Sequence, residues 1–116
     1  MIDPTCLFCR IIVGEVPADV VHQDELILAF RDIAPKAPVH LLLIPRSHIS
    51  SAADLRDEHA DVVGRLFASG ARLAAGEGLD HSGYRVVTNV GKDAGQSVDH
   101  LHFHLLGGRA MTWPPG

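Results

Sequence analysis

Long apolar runs, clustered basic residues and cysteine are what this sequence has least of, and each shortage excludes a class of protein. No apolar stretch approaches the roughly 20 residues of a membrane-spanning helix, so no membrane association is expected. Met1-Ile2-Asp3-Pro4 lacks the basic and apolar regions of a secretory signal, and a cytoplasmic location is the expectation. Lysine and arginine total 10 against 14 acidic residues, giving a net charge of −4, and the basic residues are scattered. A surface that follows a nucleic-acid backbone gathers them on one face, so any nucleotide bound here should be a small one and not nucleic acid. The two cysteines, Cys6 and Cys9, stand too close together to close a stabilising disulfide loop. They leave a zinc half-site or a redox pair open. Repeats, low-complexity tracts and linkers are also missing, and 116 residues suit one domain, 1–116, around a single core.

What is there is patterned. Phe8 to Val16 carries Ile11, Ile12 and Val13 before Gly14 and Pro17, which predicts a short helix stopped by those breakers. Val20–Gln23 and Leu26–Arg31 read as strands joined at Asp24-Glu25, and Val39–Ile44 as a central strand, apolar except for His40. Leu55, His59, Val62, Val63, Leu66, Phe67, Gly70, Leu73 and Ala74 recur at helical steps, with Asp54 or Asp57 as cap and Gly76 and Gly78 at the end. Tyr84–Asn89 and Val98–Leu105 alternate with period two across a loop from Gly91 to Ser97. This order predicts an α+β fold, an antiparallel sheet of about five strands with the helices on one face.

The most informative run is His100-Leu101-His102-Phe103-His104-Leu105-Leu106, where the period of a strand puts three imidazoles on one face. An outer polar face would account for them, but Thr, Lys or Glu would do that at less cost. A metal, a phosphate or a nucleophilic role fits better. Gly95-Gln96-Ser97 and Gly107-Gly108-Arg109 flank the run with flexible backbone and a hydroxyl. Asp32, at a strand end, is placed to accept two ribose hydroxyls. His40 would ordinarily be a satisfied core histidine. His59 reads as a dimer or core contact, and His22 and His81 as surface residues.

The run resembles the signature of the histidine triad (HIT) superfamily of nucleotide hydrolases and transferases, with every position from His100 to Leu106 fitting. Phe30-Arg31-Asp32-Ile33 with Pro35, Ala37-Pro38-Val39-His40, Ile44-Pro45, His48-Ile49, Asn89, Gly91 and Met111-Thr112-Trp113-Pro114-Pro115-Gly116 are similar to the Hint branch, so the resemblance spans nearly the whole chain.

The resemblance implies that His102 attacks the α-phosphorus of a nucleoside monophosphate derivative, with its other ring nitrogen bonded to the carbonyl of His100. Ser97 and His104 would stabilise the phosphoryl oxygens, beside the turn formed by Gly95, Gln96, Ser97 and Val98, with Asn89 toward the sugar or the leaving group. His40 would orient the reacting imidazoles. Phe8, Ile11, Phe30, Ile33 and Leu42 correspond to the apolar base pocket. Cys6, Cys9, His48 and His100 match the ligands of a structural zinc ion in bacterial members. A homodimer is implied, joined through the long helix and an edge strand, with the C-terminal tail running toward the neighbouring subunit's site. The activity implied is hydrolysis of purine nucleoside phosphoramidates. A dinucleoside polyphosphate hydrolase or nucleotidyltransferase is the nearer alternative, and a zinc-stabilised nucleotide-binding scaffold the more distant one.

Overall fold

A computed structural model describes residues 2–116; Met1, where the stretch unlike a secretory signal begins, lies outside the described residues. Five strands, β1 Val20–Gln23, β2 Ile27–Arg31, β3 Val39–Pro45, β4 Tyr84–Val87 and β5 Phe103–Gly107, form one sheet in the order β1-β2-β3-β5-β4. All neighbouring pairs are antiparallel. Helix α1 (Leu7–Ile12) precedes the sheet, and α2 (Ala60–Gly76) lies between β3 and β4 in the chain. The class and the strand count agree with the sequence reading. No helix among the described residues is long and apolar enough to cross a membrane.

Both side-chain parities of β3 are apolar, so both faces of the sheet must be covered. Leu41 and Leu43 join Ile27, Ala29, Phe103 and Leu105 beneath Leu66 and Ala74 of α2. Leu42 and Ile44 join Leu28 and Phe30 against Phe8 and Cys9 of α1. The two helices therefore occupy opposite faces, not one face as expected. Short as it is, α1 buries Phe8 and Cys9, and these fill the parity that α2 leaves bare.

Several boundaries also move. Gly14 takes φ +83 and the N–H groups of Glu15 and Val16 turn back to the Arg10 carbonyl, ending α1 at Ile12. The Asp24 carboxylate accepts from the N–H groups of Leu26 and Ile27 at 2.8 and 3.0 Å, which holds Leu26 in the turn and starts β2 at Ile27. Leu55 is extended, with ψ 142, between two 3-10 turns at Ala52–Asp54 and Asp57–His59, so neither Asp54 nor Asp57 caps α2. His59 is the N-cap residue rather than part of the apolar stripe, and its Nδ1 accepts from the Arg56 N–H at 2.8 Å. Phe67, read as part of that stripe, is 55% exposed.

The strand expected over Val98–Leu105 is paired only from Phe103, because β4 ends at Val87 and residues before Phe103 bond elsewhere. The Leu101 N–H reaches the Ile49 carbonyl at 2.6 Å and the Thr88 hydroxyl donates to the His102 carbonyl at 2.8 Å.

Leu105 lies fully buried between the sheet and α2. Leu105→Ala should lower the unfolding free energy by about 2–5 kcal/mol, measured by denaturant titration.

Candidate functional site

On the α1 face, His40 and Leu42 of β3 pair with Leu106 and His104 of β5, and Val87 of β4 stands opposite His104. Since α1 packs over β2 and β3, side chains of β4 and β5 are left to line a groove beyond it. Two hollows result, and His104 lines both.

The hollow beside α1 holds about 250 Å³. Phe8, Ile11, Phe30, Ile33 and Leu42 line its apolar part, while Asp32, Ser97, Val98, His102 and His104 supply the rest. Phe8 stands edge-on to His102 with ring centroids 5.2 Å apart, and edge-on to Phe30 at 5.5 Å. Ile33 is almost fully exposed and forms a lip. Leu7, Val16, Pro17 and Ala18 also line this hollow; nothing in their sequence pattern distinguished them from helix and turn residues.

Hydrogen bonds determine the tautomers here. His102 Nδ1 lies 2.7 Å from the His100 carbonyl oxygen. A carbonyl only accepts, so Nδ1 carries the hydrogen, and the lone pair of the neutral form of this ring is the one on Nε2. His40 Nδ1 accepts from the Lys36 N–H at 3.1 Å, which leaves the hydrogen on Nε2, 2.9 Å from His104 Nδ1. His104 is then an acceptor at Nδ1 and a donor at Nε2. Asp32 Oδ2 stands 3.5 Å from the same His40 Nε2, while its Oδ1 accepts from the Ala34 N–H at 2.8 Å. Burial, with His102 and His40 nearby, pushes the His104 imidazole down to about 4, and burial lowers His40 despite the pull of Asp32. Both rings are neutral near pH 7. The bond from His40 to His104 is of the kind that the resemblance implied for His40, whereas the approach of Asp32 to His40 was not legible in the sequence.

A second cluster lies between α1 and the start of the histidine run. The ligand atoms of Cys6, Cys9, His48 and His100 all lie within 4.8 Å of one another. Cys6 Sγ is 3.3 Å from His100 Nδ1, and Cys9 Sγ is 3.4 Å from His48 Nδ1 and 3.6 Å from His100 Nδ1. Zinc–sulfur and zinc–nitrogen bonds at a tetrahedral angle require an S···N edge of about 3.5 Å. The donor set therefore fits zinc. His100 Nε2 donates to the Pro45 carbonyl at 2.9 Å, which turns the Nδ1 lone pair toward the thiols, and burial holds the ring neutral by pushing it down to about 4. Burial also pushes the Cys9 thiol up, a cost that a bound cation would offset by favouring the thiolate.

Three further residues expected around the nucleotide and its leaving group lie outside the hollow beside α1 and make bonds within or onto the loop. Asn89 lines the groove and donates its amide to the Ala94 carbonyl at 2.8 Å. Gln96 accepts from the Gly91 N–H and donates to the carbonyls of Ser50 and Val98, tying the loop down. Gly95 takes φ +78 at the end of the turn begun by Lys92. Side-chain amide bonds to the backbone, whether within the loop or across to Ser50, leave no mark on hydrophobic periodicity.

The groove beyond His104 holds about 340 Å³ and is lined by Lys36, Arg85 and Arg109 together with Met111, Thr112 and Pro115 of the same chain's tail. The sequence reading singled out none of the three cations as site residues. Of the other histidines, His81 is exposed and His22 is half-buried, with Nε2 2.9 Å from Asp24 Oδ2.

Comparison with known proteins places these features in a family. The HIT domain family model matches residues 13–111. A 14 kDa zinc-binding protein of Brassica juncea is 47% identical over 112 residues, covering 95% of this chain and 98% of that protein. The purine nucleoside phosphoramidase of Escherichia coli (strain K12) is 45% identical over 105 residues, covering 90% of this chain and 88% of that enzyme. Among solved structures, a HIT family hydrolase from Legionella pneumophila superposes with a TM-score of 0.95 at 53% identity, over 97% of this chain and 100% of that one.

Two outcomes follow from the geometry. Protein prepared without chelators should contain about one zinc per chain, and Cys6→Ser with Cys9→Ser should cost about 2 kcal/mol or more, about 10 °C in Tm, by metal analysis and thermal denaturation. The second concerns His104, which titrates near 4 folded and near 6.5 unfolded. Between those values only the unfolded chain binds the proton, so the group's contribution to stability is full above about 6.5 and lost as pH falls to about 4. His104→Gln should flatten the pH dependence of stability in that window, measured by denaturant titration from pH 6.5 to 4.

Proposed function

The chain belongs to the HIT domain family, and from that premise we propose that it hydrolyses purine nucleoside phosphoramidates, AMP joined to an amine, through a nucleotide carried on His102. The observation that carries the proposal is the fixed orientation of His102: a buried imidazole with Nδ1 held by the His100 carbonyl and Nε2 free beside an apolar hollow. The relative named as a purine nucleoside phosphoramidase supports the choice of leaving group.

The purine would lie among Phe8, Ile11, Phe30, Ile33 and Leu42, with Asp32 accepting from the ribose. The α-phosphate would then stand between His102 and His104. The His102 Nε2 lone pair bonds to phosphorus, the bond from phosphorus to the amine nitrogen breaks with its electron pair passing to nitrogen, and nitrogen takes a proton from water. Negative charge on the phosphoryl oxygens is met by the His104 Nε2–H and the Ser97 hydroxyl, donors placed in advance. A water then bonds to phosphorus, the bond to Nε2 breaks with its pair returning to the ring, and the water's proton goes to solvent. AMP and free amine are the products. His40 is a positioning residue, since it fixes the tautomer of His104 from the far side.

Cys6, Cys9, His48 and His100 would hold zinc. With four protein ligands the ion has no open position, so it supplies structure by fastening α1 to the segment whose carbonyl orients His102. The free thiols of Cys6 and Cys9 suit a reducing, cytoplasmic location. Exposed Phe67, Tyr84 and Val86 on α2 and β4 support a homodimer through that helix and edge strand.

His102→Ala should lower kcat/KM for an adenosine phosphoramidate by about 10³-fold or more while AMP still binds. Trapped wild-type enzyme should gain the mass of one nucleotidyl group, a nucleoside monophosphate less one water, on His102. Near-normal turnover in the variant, or an adduct on His104, would refute the assignment.

A further inference from the structure

We infer that the groove beyond His104 is the leaving-group subsite, and that Lys36, Arg85 and Arg109 make it select leaving groups bearing an anion, carboxylate or phosphate, beyond the scissile bond. The inference rests on the phosphoramidase proposal and names the substrate class within it.

Connectivity comes first. Of these two cavities, His102 lines the hollow beside α1 and not the groove, whereas His104 lines both. In-line displacement puts the leaving atom opposite the attacking Nε2, and with the nucleoside filling the hollow, the group that departs is directed past His104. The groove, at about 340 Å³, is large enough for an amino acid or a small phosphorylated amine.

Charge decides what the groove prefers. The chain carries a net charge of −4, yet the groove is lined by three cations and by no aspartate or glutamate. Of the cations elsewhere, Arg10, Arg31 and Arg65 pair with carboxylates, while Arg46 and Arg56 donate singly to the backbone carbonyls of Asp24 and Leu55, and only the groove gathers three such cations. The groove cations are held by backbone carbonyls: Arg109 donates from Nε and Nη2 to the Lys36 carbonyl at 3.2 and 3.0 Å, Arg85 Nη2 to Thr112 at 2.9 Å, and Lys36 Nζ to Ala34 at 2.8 Å. Such bonds position a charge without neutralising it. An anionic group entering the groove meets three oriented cations, two of them guanidinium groups with donors to spare, and a neutral amine gains nothing from them.

Three adenosine 5′-phosphoramidates of matched linker length test this: those of propylamine, β-alanine and 2-aminoethyl phosphate. At low salt at least one anionic amidate should exceed the neutral one about tenfold or more in kcat/KM, with the advantage shrinking as salt rises. That ratio should fall about tenfold in Arg109→Gln and in Arg85→Gln. The second variant leaves intact the clamp on the Lys36 carbonyl and so judges the proposal even if loss of Arg109 loosens the fold. The order of the two anionic amidates tells a carboxylate site from a phosphate site. A wild-type ratio near one, or a ratio unchanged in both variants, overturns the inference. If none of the three is turned over, the phosphoramidase proposal falls, and displacement of a fluorescent AMP analogue judges the groove alone: about tenfold tighter displacement by an anionic amidate supports it, and equal displacement overturns it.

Discussion

His100 is bonded at three atoms, and each bond ties a different part of the chain to the face that carries the site. Its Nε2 donates to the Pro45 carbonyl at the end of β3, its Nδ1 faces the thiols of Cys6 and Cys9 at α1, and its carbonyl oxygen receives Nδ1–H of His102. The residue is fully buried, where an unmet polar atom would cost about 1–3 kcal/mol. All three connections are therefore coupled to folding. The ring is claimed by the cysteine cluster while the backbone serves the neighbouring histidine, which explains how adjacent members of one motif can have separate tasks.

The sheet converts that local arrangement into a site. Because side chains alternate, one parity of β3 and β5 packs under α2 and the other carries His40, Leu42, His104 and Leu106. A short helix covers only part of this second face. Had α1 been long enough to cover β4 and β5 as well, the groove of Lys36, Arg85 and Arg109 would be closed. The end of β5 is also constrained: a Cβ on Gly107 would stand 2.5 Å from Leu79 Cδ1, and Gly108, at φ +92, would meet Pro38 Cβ at 2.8 Å. Glycine at both positions lets the chain leave the sheet without moving His104 from its place opposite Leu42.

Electrostatically the site holds two neutral imidazoles, His40 and His104, in a chain of net negative charge. Burial works against protonation of His40 and His104, and Asp32 only partly opposes it. Donor and acceptor roles can then be assigned without a charge on either ring. The His104 Nε2–H that results is a donor beside the hollow that His102 also lines.

Short-range patterns determined much of this protein. The alternation of His100, His102 and His104, the close cysteine pair, the doubly apolar β3 and the helical stripe of α2 are periodicities of two or about 3.6, and they are visible because neighbours in sequence are neighbours on a strand or a helix. The α+β class and the five-strand sheet follow from them. What remained hidden depends on residues far apart in the chain: the placement of α1 on the face opposite α2, the approach of Asp32 to His40, and the meeting of Lys36, Arg85 and Arg109 along one groove. Strand order and register decide which distant side chains meet, and they are settled by packing of the whole sheet against both helices. No local pattern records that choice, which only the tertiary structure makes.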